Sequence, residues 1–472
     1  MDINEILKGS PSEIVQALSE KSVSVPRWKD LEKEYNSDNH EVMNKIDYPD
    51  VVEDDGTITK VTRITLDFQK LATKRMTELI CGIPIKRISD GENQTQKDVA
   101  TIIERIYQRN RIDNFNIERF NMLFCGCEVM SLWYAKEEKN TVYGIESPIK
   151  IRCKNYSPTL GDELYPLFDE YGDLVALSVK YKRKKLDKDI TYFDAYTAER
   201  HLRFEIGDEI TIIDDEKITL GKIPAVYMFR PTPIWETTSK TISEMEMTLS
   251  RQGNYLRKNS KPVFGVFADE EIDFGKEGKE ENEFRTIFQL PKGSSAQYIT
   301  WDQATEAVKY HIEELKQMIF TQLQLPDFSW ESMKSTPMSG EARKQLFIDA
   351  QLKVKDESGR ILEFLDRELS VVKSFVKLIL PAYASEIDKL QIENKITPFT
   401  VSDFEDRVRN LSTATGGQQI MSLATAVKEL DIAPDAEKEV ELINKEKEMK
   451  MTFSSQPMLR MMPIISASHS AV

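Results

Sequence analysis

Several things are missing from this 472-residue sequence, and each absence removes a class of function. There is no Gly-x-x-x-x-Gly-Lys-Ser/Thr phosphate loop. The nearest stretch, Gly275-Lys-Glu-Gly-Lys279, has neither the spacing nor the hydroxyl that would sit on magnesium, so an NTP-driven motor is not expected. The four histidines, His40, His201, His311 and His469, are scattered and lack the paired spacing of a zinc helix. His311 lies beside an apolar helical stripe and is expected to be a packed structural residue. The four cysteines, Cys81, Cys125, Cys127 and Cys153, are too few and too irregular for a disulfide framework. Cys125-Gly126-Cys127 has no second pair to complete a metal site, so buried structural thiols are expected. Ser339-Gly340 has no nucleophile-elbow frame. Carboxylates are abundant, but none stands out as a catalytic pair. No catalytic residue, metal site or cofactor is expected. No apolar run approaches the roughly 18 residues of a membrane span, and the opening Met1-Asp2-Ile3-Asn4-Glu5 lacks the basic start of a signal peptide.

What is present is charge. With 64 basic and 79 acidic residues the formal net charge is -15, which argues against a broad basic face gripping nucleic acid. Any DNA contact must be local or weak. The length suggests two to four structural units.

Residues 1 to about 60 are polar and turn-rich. Apolar residues at Ile64, Phe68, Leu71 and Leu79 then predict a helix stopped by Gly82 and Pro84, and a second helical stretch is expected from Lys97 to about Ala135. From Thr141 to Arg230 short β-rich runs (Ile149-Lys-Ile-Arg-Cys153, Leu174 to Tyr181, Ile210 to Ile213) predict an antiparallel meander. Within it Lys182-Arg-Lys-Lys185 is open to two readings, a phosphate-binding spot or a solvated hairpin tip. Charge clusters commonly mark exposed turns, which favours the tip.

After Pro233 the pattern turns helical. Ile242, Met245, Leu249 and Leu256 form one stripe, and Val308, Ile312, Leu315, Ile319 and Leu323 a second that begins after Trp301, where Thr300 and Gln303 have capping-box spacing. Between them an acidic segment breaks the helical pattern, with Val263, Val266 and Ile287 to Leu290 as strand candidates. A small acidic β-containing insert at the far end of a helical hairpin is the simplest geometry. Gln324 to Gly340 is loop-like, and so long a loop in a helical region is usually functional. The longest helical pattern follows, Glu341 to Leu380, with a kink expected near Ser358 and Gly359. The last section predicts an extended run at Ile396 to Val401, helices near Gln418 to Lys428 and Ala436 to Lys450, and a tail rich in methionine (Met458, Met461, Met462).

The order from Pro233 to Leu380 resembles the portal protein, or head-to-tail connector, family of tailed phages with long non-contractile tails. The likeness is carried by Thr305-Glu-Ala-Val-Lys-Tyr-His-Ile-Glu-Glu-Leu315, Leu325-Pro-Asp-Phe328 and Met338-Ser-Gly-Glu-Ala342. It is carried further by Gly417-Gln-Gln-Ile-Met-Ser-Leu-Ala-Thr-Ala-Val427 and Asp435-Ala-Glu-Lys-Glu-Val440. It covers about 220 to 450 firmly and 60 to 135 more weakly. One departure is Met338-Ser-Gly340, where many relatives carry two adjacent small hydroxyl residues before the glycine.

The resemblance implies an α+β, mainly helical portal fold with wing, stem, clip and crown regions, in a ring of twelve. Mapped on this chain it gives an N-terminal arm at 1–60, wing at 61–238, stem helices at 239–262 and 301–325 around a clip at 263–300, and a tunnel loop at 326–340. A long wing helix and return follow at 341–399, then a crown at 400–450 and the tail at 451–472. The implied function is non-enzymatic: a conduit for packaging and ejection of double-stranded DNA at one capsid vertex, assembled in the host cytoplasm. The implied partners are copies of itself, non-specific DNA, the terminase large subunit, head-completion or adaptor proteins, and major capsid and scaffolding proteins, with no membrane. Trp330, Lys334, Ser335 and Thr336 are expected to face DNA. The acidic run Asp269, Glu270, Glu271, Asp273, Glu277, Glu280, Glu281 and Glu283 is expected to dock the motor and then the tail adaptor. An ordinary helix connector and a solvated rim are the bland readings of these two segments. A scaffold or adaptor without DNA contact, or a nucleic-acid-processing enzyme subunit, is the alternative for the whole chain.

Overall fold

The computed structural model describes residues 3–52, 56–185, 188–259, 263–267, 295–299, 305–327, 347–399, 404–416, 420–430 and 436–454. Chain contacts divide into two units: Met1–Ser332 with Phe347–Phe399, and Met333–Leu346 with Thr400–Val472. The fold class is α+β.

The first unit opens with α1 (Ile3–Ile6), α2 (Pro11–Leu18) and α3 (Trp28–Tyr35). Helix α2 starts where it does because Ser10 and Glu13 cap each other's backbone N–H and Pro11 presets the first turn. Its Ile14, Val15 and Leu18 are buried against Ala176, Phe193, Leu202 and Phe204, and full burial of each contributes on the order of 1.5–3 kcal/mol. A two-residue pair, β1 (Val51–Val52) and β2 (Ile58–Thr59), precedes α4 (Phe68–Cys81). Strand β3 (Lys86–Ser89), α5 (Gln94–Arg109) and α6 (Ile112–Gly126) follow.

Two expectations are corrected here. Ile64 is not helical; it lies in extended chain ahead of α4, whose first residue is Phe68. The stretch from Lys97 to Ala135 is two helices and a strand. Arg111 takes a left-handed φ of 52°, ending the first helix path, and Cys127 does the same at φ 63°, turning the chain into β4 (Glu128–Asn140). Neither position is a glycine, so the usual punctuation is missing.

Strand β4 pairs with β5 (Ser147–Tyr156) and, on its other edge, with β11 (Ala225–Phe229) in a three-stranded antiparallel sheet. The expected meander is divided between two sheets: Ile149–Cys153 lies in β5 of this one, and the rest is the five-stranded sheet of β6 (Glu163–Phe168), β7 (Leu174–Lys185), β8 (Lys188–Tyr196), β9 (Arg200–Ile206) and β10 (Ile210–Lys217), each paired with the next. Lys182, Arg183 and Lys184 are exposed at the β7–β8 end, as the hairpin-tip reading expects.

Next come α7 (Ser239–Asn259), the pair β12 (Val263–Phe267) and β13 (Ser295–Ile299), and α8 (Thr305–Leu323). The long helix is α9 (Ile348–Ile379), 32 residues and about 48 Å, running through Ser358 and Gly359 as one helix. Short α10 (Ala384–Lys389) leads to β14 (Ile392–Lys395), which pairs with β3. The main core joins α4, α5, α6, α9 and the inner face of β4–β5, with Met76, Ile106, Phe120, Trp133, Val372 and Val376 all fully buried. All four cysteines are buried thiols, and burial pushes Cys81, Cys125 and Cys127 up to about 12.

The second unit contributes α11 (Phe404–Thr415), α12 (Leu423–Leu430) and α13 (Ala436–Ser454). The first of these was not expected; the other two were. Met458, Met461 and Met462 lie outside the described residues, as do Thr400 and Val401 of the expected extended run, whose Ile396 to Phe399 is coil.

Candidate functional site

Helices α7 and α8 form a hairpin whose root is packed and whose end is open. On α7 Ile242 and Met245 are buried, while Leu256 is 57% exposed; on α8 Leu323, Ile319 and Leu315 are buried, while Tyr310 is 64% exposed. Phe68 meets Phe320 edge-on at 5.9 Å and anchors α8 to α4. His311 is exposed, contrary to the packed role expected of it, because the α8 stripe loses its cover toward that end.

A strap just after the expected N-terminal arm holds α7. Residues 61–66 run extended along one face of the helix, antiparallel to it. Leu66 N–H donates to Glu246 Oε1 at 2.7 Å, Ile64 N–H to Ser250 Oγ at 2.8 Å and Thr62 N–H to Asn254 Oδ1. The geometry explains the pairing. Two extended residues advance about 6.6 Å and one step of four helical residues about 6 Å, so alternate amides meet side chains four apart. Gly253 lets the strap lie close, since a Cβ there would stand 2.9 Å from Thr62 Cγ2. Arg257 adds a bond to the Lys60 carbonyl. Above this, buried His40 sits with Nδ1 2.7 Å from Glu246 Oε1 and Nε2 2.7 Å from the Glu34 carbonyl. Burial opposes the imidazolium, but the Glu246 carboxylate and the Glu34 carbonyl outweigh it and raise His40 above its ordinary value. Sequence reading missed this strap; the one signal available was Ser250 and Asn254 in step with Glu246 on a helix face.

At the open end, β12 and β13 pair antiparallel with Val263 opposite Ile299 and Phe267 opposite Ser295. Residues 263–267 fulfil the first strand expectation. The second strand is 295–299, whereas Ile287 to Leu290 lies outside the described residues. So do Asp269, Glu270, Glu271, Asp273, Glu277, Glu280, Glu281 and Glu283, within the segment this pair brackets, and residues 300–304 of the expected helix start.

The loop after α8 leaves and returns at clamped ends. Gln324 ends the helix at φ 53°, Lys316 pairs with Asp327 at 2.9 Å, and buried Leu325 and Phe347 stand at the two margins. Lys353 of α9 donates to the Leu323 carbonyl. Burial, then the nearby Arg230 charge, brings Lys353 down to about 8. Arg230 itself pairs with Glu357 at 2.7 Å. Trp330, Lys334, Ser335 and Thr336 lie outside the described residues. Among the described residues no group of three or more His, Cys, Asp or Glu is placed to hold a metal, and no helix is long and apolar enough to cross a membrane.

The family model described as phage portal protein, SPP1 Gp6-like, matches residues 17–452. The chain belongs to that family. Comparison with curated proteins gave no match. Solved structures similar to this portal-family chain include the neck of a native GTA particle computed with C12 symmetry, at 11% identity and TM-score 0.43 over 89% of this chain and 99% of that one. The neck of an empty GTA particle computed with C6 symmetry aligns at 11% and 0.39 over 77% and 90%. The virion of a native gene transfer agent particle aligns at 11% and 0.40 over 89% and 99%. The assignment rests on the family match, to which likenesses at these scores add no weight.

Proposed function

We propose that twelve copies of this chain close into a ring at one capsid vertex, a non-enzymatic conduit for DNA entering and leaving the virion and a platform for the packaging motor and then the tail adaptor. The family match over residues 17–452 carries this reading. In it the α7–α8 hairpin (239–262 and 301–325) is the stem, 263–300 the clip, 326–340 the tunnel loop, 61–238 together with 341–399 the wing, and 400–450 the crown. Two observations support the mapping. The hairpin leaves Leu256, Tyr310 and Met318 exposed in a single copy, as a stem packed by neighbours would. The loop ends are clamped by Lys353 and Lys316, as a loop held toward an axis would need.

Charge suits a conduit. Duplex DNA carries one charge per about 1.7 Å, and every phosphate held by a fixed cation must be released before the DNA slides. Twelve copies would carry roughly -180 in formal charge, a repulsive background that keeps DNA mobile. Electron micrographs of the purified protein test the reading: rings with a central channel about as wide as duplex DNA are expected, and a chain that stays monomeric under all conditions overturns it. Crosslinking from Lys334 to packaged DNA tests the loop. Consistent failure there while other channel positions crosslink removes its role. Charge reversal in the Asp269 to Glu283 run should impair motor binding and spare ring assembly.

A further inference from the structure

The face of the β4–β5 ladder turned away from the main core is buried at Leu132 against the five-stranded sheet and cationic where it opens to solvent around Tyr134 and Arg152, in an acidic protein. Along β5, Ile151, Cys153 and Asn155 point into the core, while Lys150, Arg152 and Lys154 alternate with them on the other face. Opposite these three across the ladder stand Lys136, Tyr134 and Leu132. Two concavities meet on this face. One, about 690 Å³, lies between the α5–α6 turn and the ladder and is lined by Arg109, Arg111, Lys136 and Arg152 with Phe115 and Tyr134; none of its described lining residues is acidic. The other, about 490 Å³, is bordered by Lys154, Arg183 and Arg203 and shares Tyr134 with the first.

Counter-charge is present only in part. Glu138 pairs with Lys150 at 2.9 Å and Lys136 at 3.7 Å, Asp194 takes Arg203 through two hydrogen bonds, and Asp214 and Glu216 border the second concavity. Arg109, Arg111, Arg152, Lys154 and Arg183 form no ion pair with any described carboxylate. Lys154 instead lies over the rings of Tyr156 at 3.9 Å and Tyr181 at 5.4 Å, with Arg183 5.0 Å from the same Tyr181 ring. Burial, then the Arg183 charge, lowers the Lys154 ammonium below its ordinary value. Glu138 offsets part of the charge of Lys136, Lys150 and Arg152, and the cations in excess of it repel one another, a repulsion that an anionic ligand relieves.

Successive cations on β5 are two strand residues apart, about 6.8 Å, so one extended polyanion can meet several of them at once. Arginine forks suit phosphate oxygens, and exposed Tyr134 gives the groove an aromatic floor of the kind that nucleic-acid surfaces interleave with cations.

We propose that this face binds the phosphodiester backbone of nucleic acid without reading sequence, with Arg111, Arg152 and Lys154 as phosphate contacts. It is a nucleic-acid surface additional to the one proposed at Lys334.

The test is fluorescence anisotropy of the full-length protein with labelled duplexes of about 30 base pairs and two unrelated sequences, from about 50 to 200 mM salt. Each phosphate contact contributes about 0.9 to the slope of log K against log salt, so R111Q/R152Q/K154Q should flatten the slope by about 2.7 and weaken both duplexes equally. The charge-preserving R111K/R152K/K154R should keep the wild-type slope, which guards against a folding defect, and K29Q/K240Q should leave binding unchanged. Equal slopes for the wild type and the triple glutamine variant overturn the proposal, as does failure of the wild type to bind at the lowest salt. Sedimentation of the same variants decides the rival occupant. Loss of self-association with the DNA slope intact would make this face the seat of a second, acidic copy of the chain and reject the assignment.

Discussion

Glu368 is the point where the long helix is fastened to the β-rich core, and replacing it by alanine should be among the most damaging single changes in the chain. Its carboxylate is enclosed, with 2% of the side chain exposed against 0% for Arg119. It accepts from both terminal nitrogens of Arg119, one at 2.9 Å, and from Trp133 Nε1 at 3.0 Å. Arg119 also donates to Asn116 Oδ1 and lies 4.7 Å from the Phe364 ring. In E368A the guanidinium stays buried without its counter-charge, which costs about 3–5 kcal/mol. The control is R119M/E368M, which removes both charges at similar volume. It should recover most of the loss, remaining about 1 kcal/mol below wild type because Asn116 and Trp133 each lose a partner. Urea unfolding followed by tryptophan fluorescence and circular dichroism reads the global effect, and amide hydrogen exchange in α9 the local one. If E368A costs less than about 1 kcal/mol, or the double variant is no better than E368A, the reasoning from enclosure and uncompensated charge fails.

Three further outcomes follow from named contacts. His40 is raised above its ordinary value, so its contribution is complete below pH 6.5 and is lost as pH rises through the higher folded value. Exchange of the Leu66 and Ile64 amides, corrected for the intrinsic rate, should therefore quicken on that side in wild type and be fast and pH-independent in H40Q; equal behaviour of the two proteins refutes the latch. Burial would raise Asp194, but the His201 ring, 3.8 Å away, and the two hydrogen bonds from Arg203 outweigh it and hold the carboxyl at about 2. That stabilisation, about 2 kcal/mol, is present above about pH 4 and lost between pH 4 and 2, so the stability gap between wild type and D194N should close on acidification. A gap of unchanged size at pH 7 and pH 2 contradicts it. G253A should loosen the strap through the Thr62 methyl, whereas G253A/T62S should be as stable as wild type or better by up to about 1 kcal/mol from helix propensity, measured by thermal unfolding.

Periodicity made much of the fold legible. The stripes of α7 and α8 and the five-stranded meander lie where spacing placed them, because each has one apolar face to bury. The breaks were harder. Arg111 and Cys127 turn the chain through left-handed conformations with no glycine at the turning residue, so two helices and β4 read as one helix. Helix α2 carried its own signal in Ser10-Pro11-Ser12-Glu13, a capping box that a polar composition hid. The expected site residues from Asp269 to Glu283 and from Trp330 to Thr336 lie outside the described residues. The strap was illegible because its partners are some 180 to 190 residues apart in sequence and pair backbone with side chain, which no local pattern records.

Net charge was read as an argument against a basic grip on DNA, and as a sum over 472 residues that reading holds. A sum says nothing about placement. Among the described residues, cations such as Lys21, Arg63, Arg119 and Arg203 are held in ion pairs, and an excess of acid makes such pairing easy. A strand that keeps Arg152 and Lys154 unpaired on one face, beside Arg109 and Arg111 on the neighbouring turn, therefore keeps its charge against the composition rather than because of it. The acidic remainder limits such a face to local contact. On the proposed reading, a few phosphates held at moderate salt and released as ionic strength rises is the strength of grip that such a face in an acidic protein can offer.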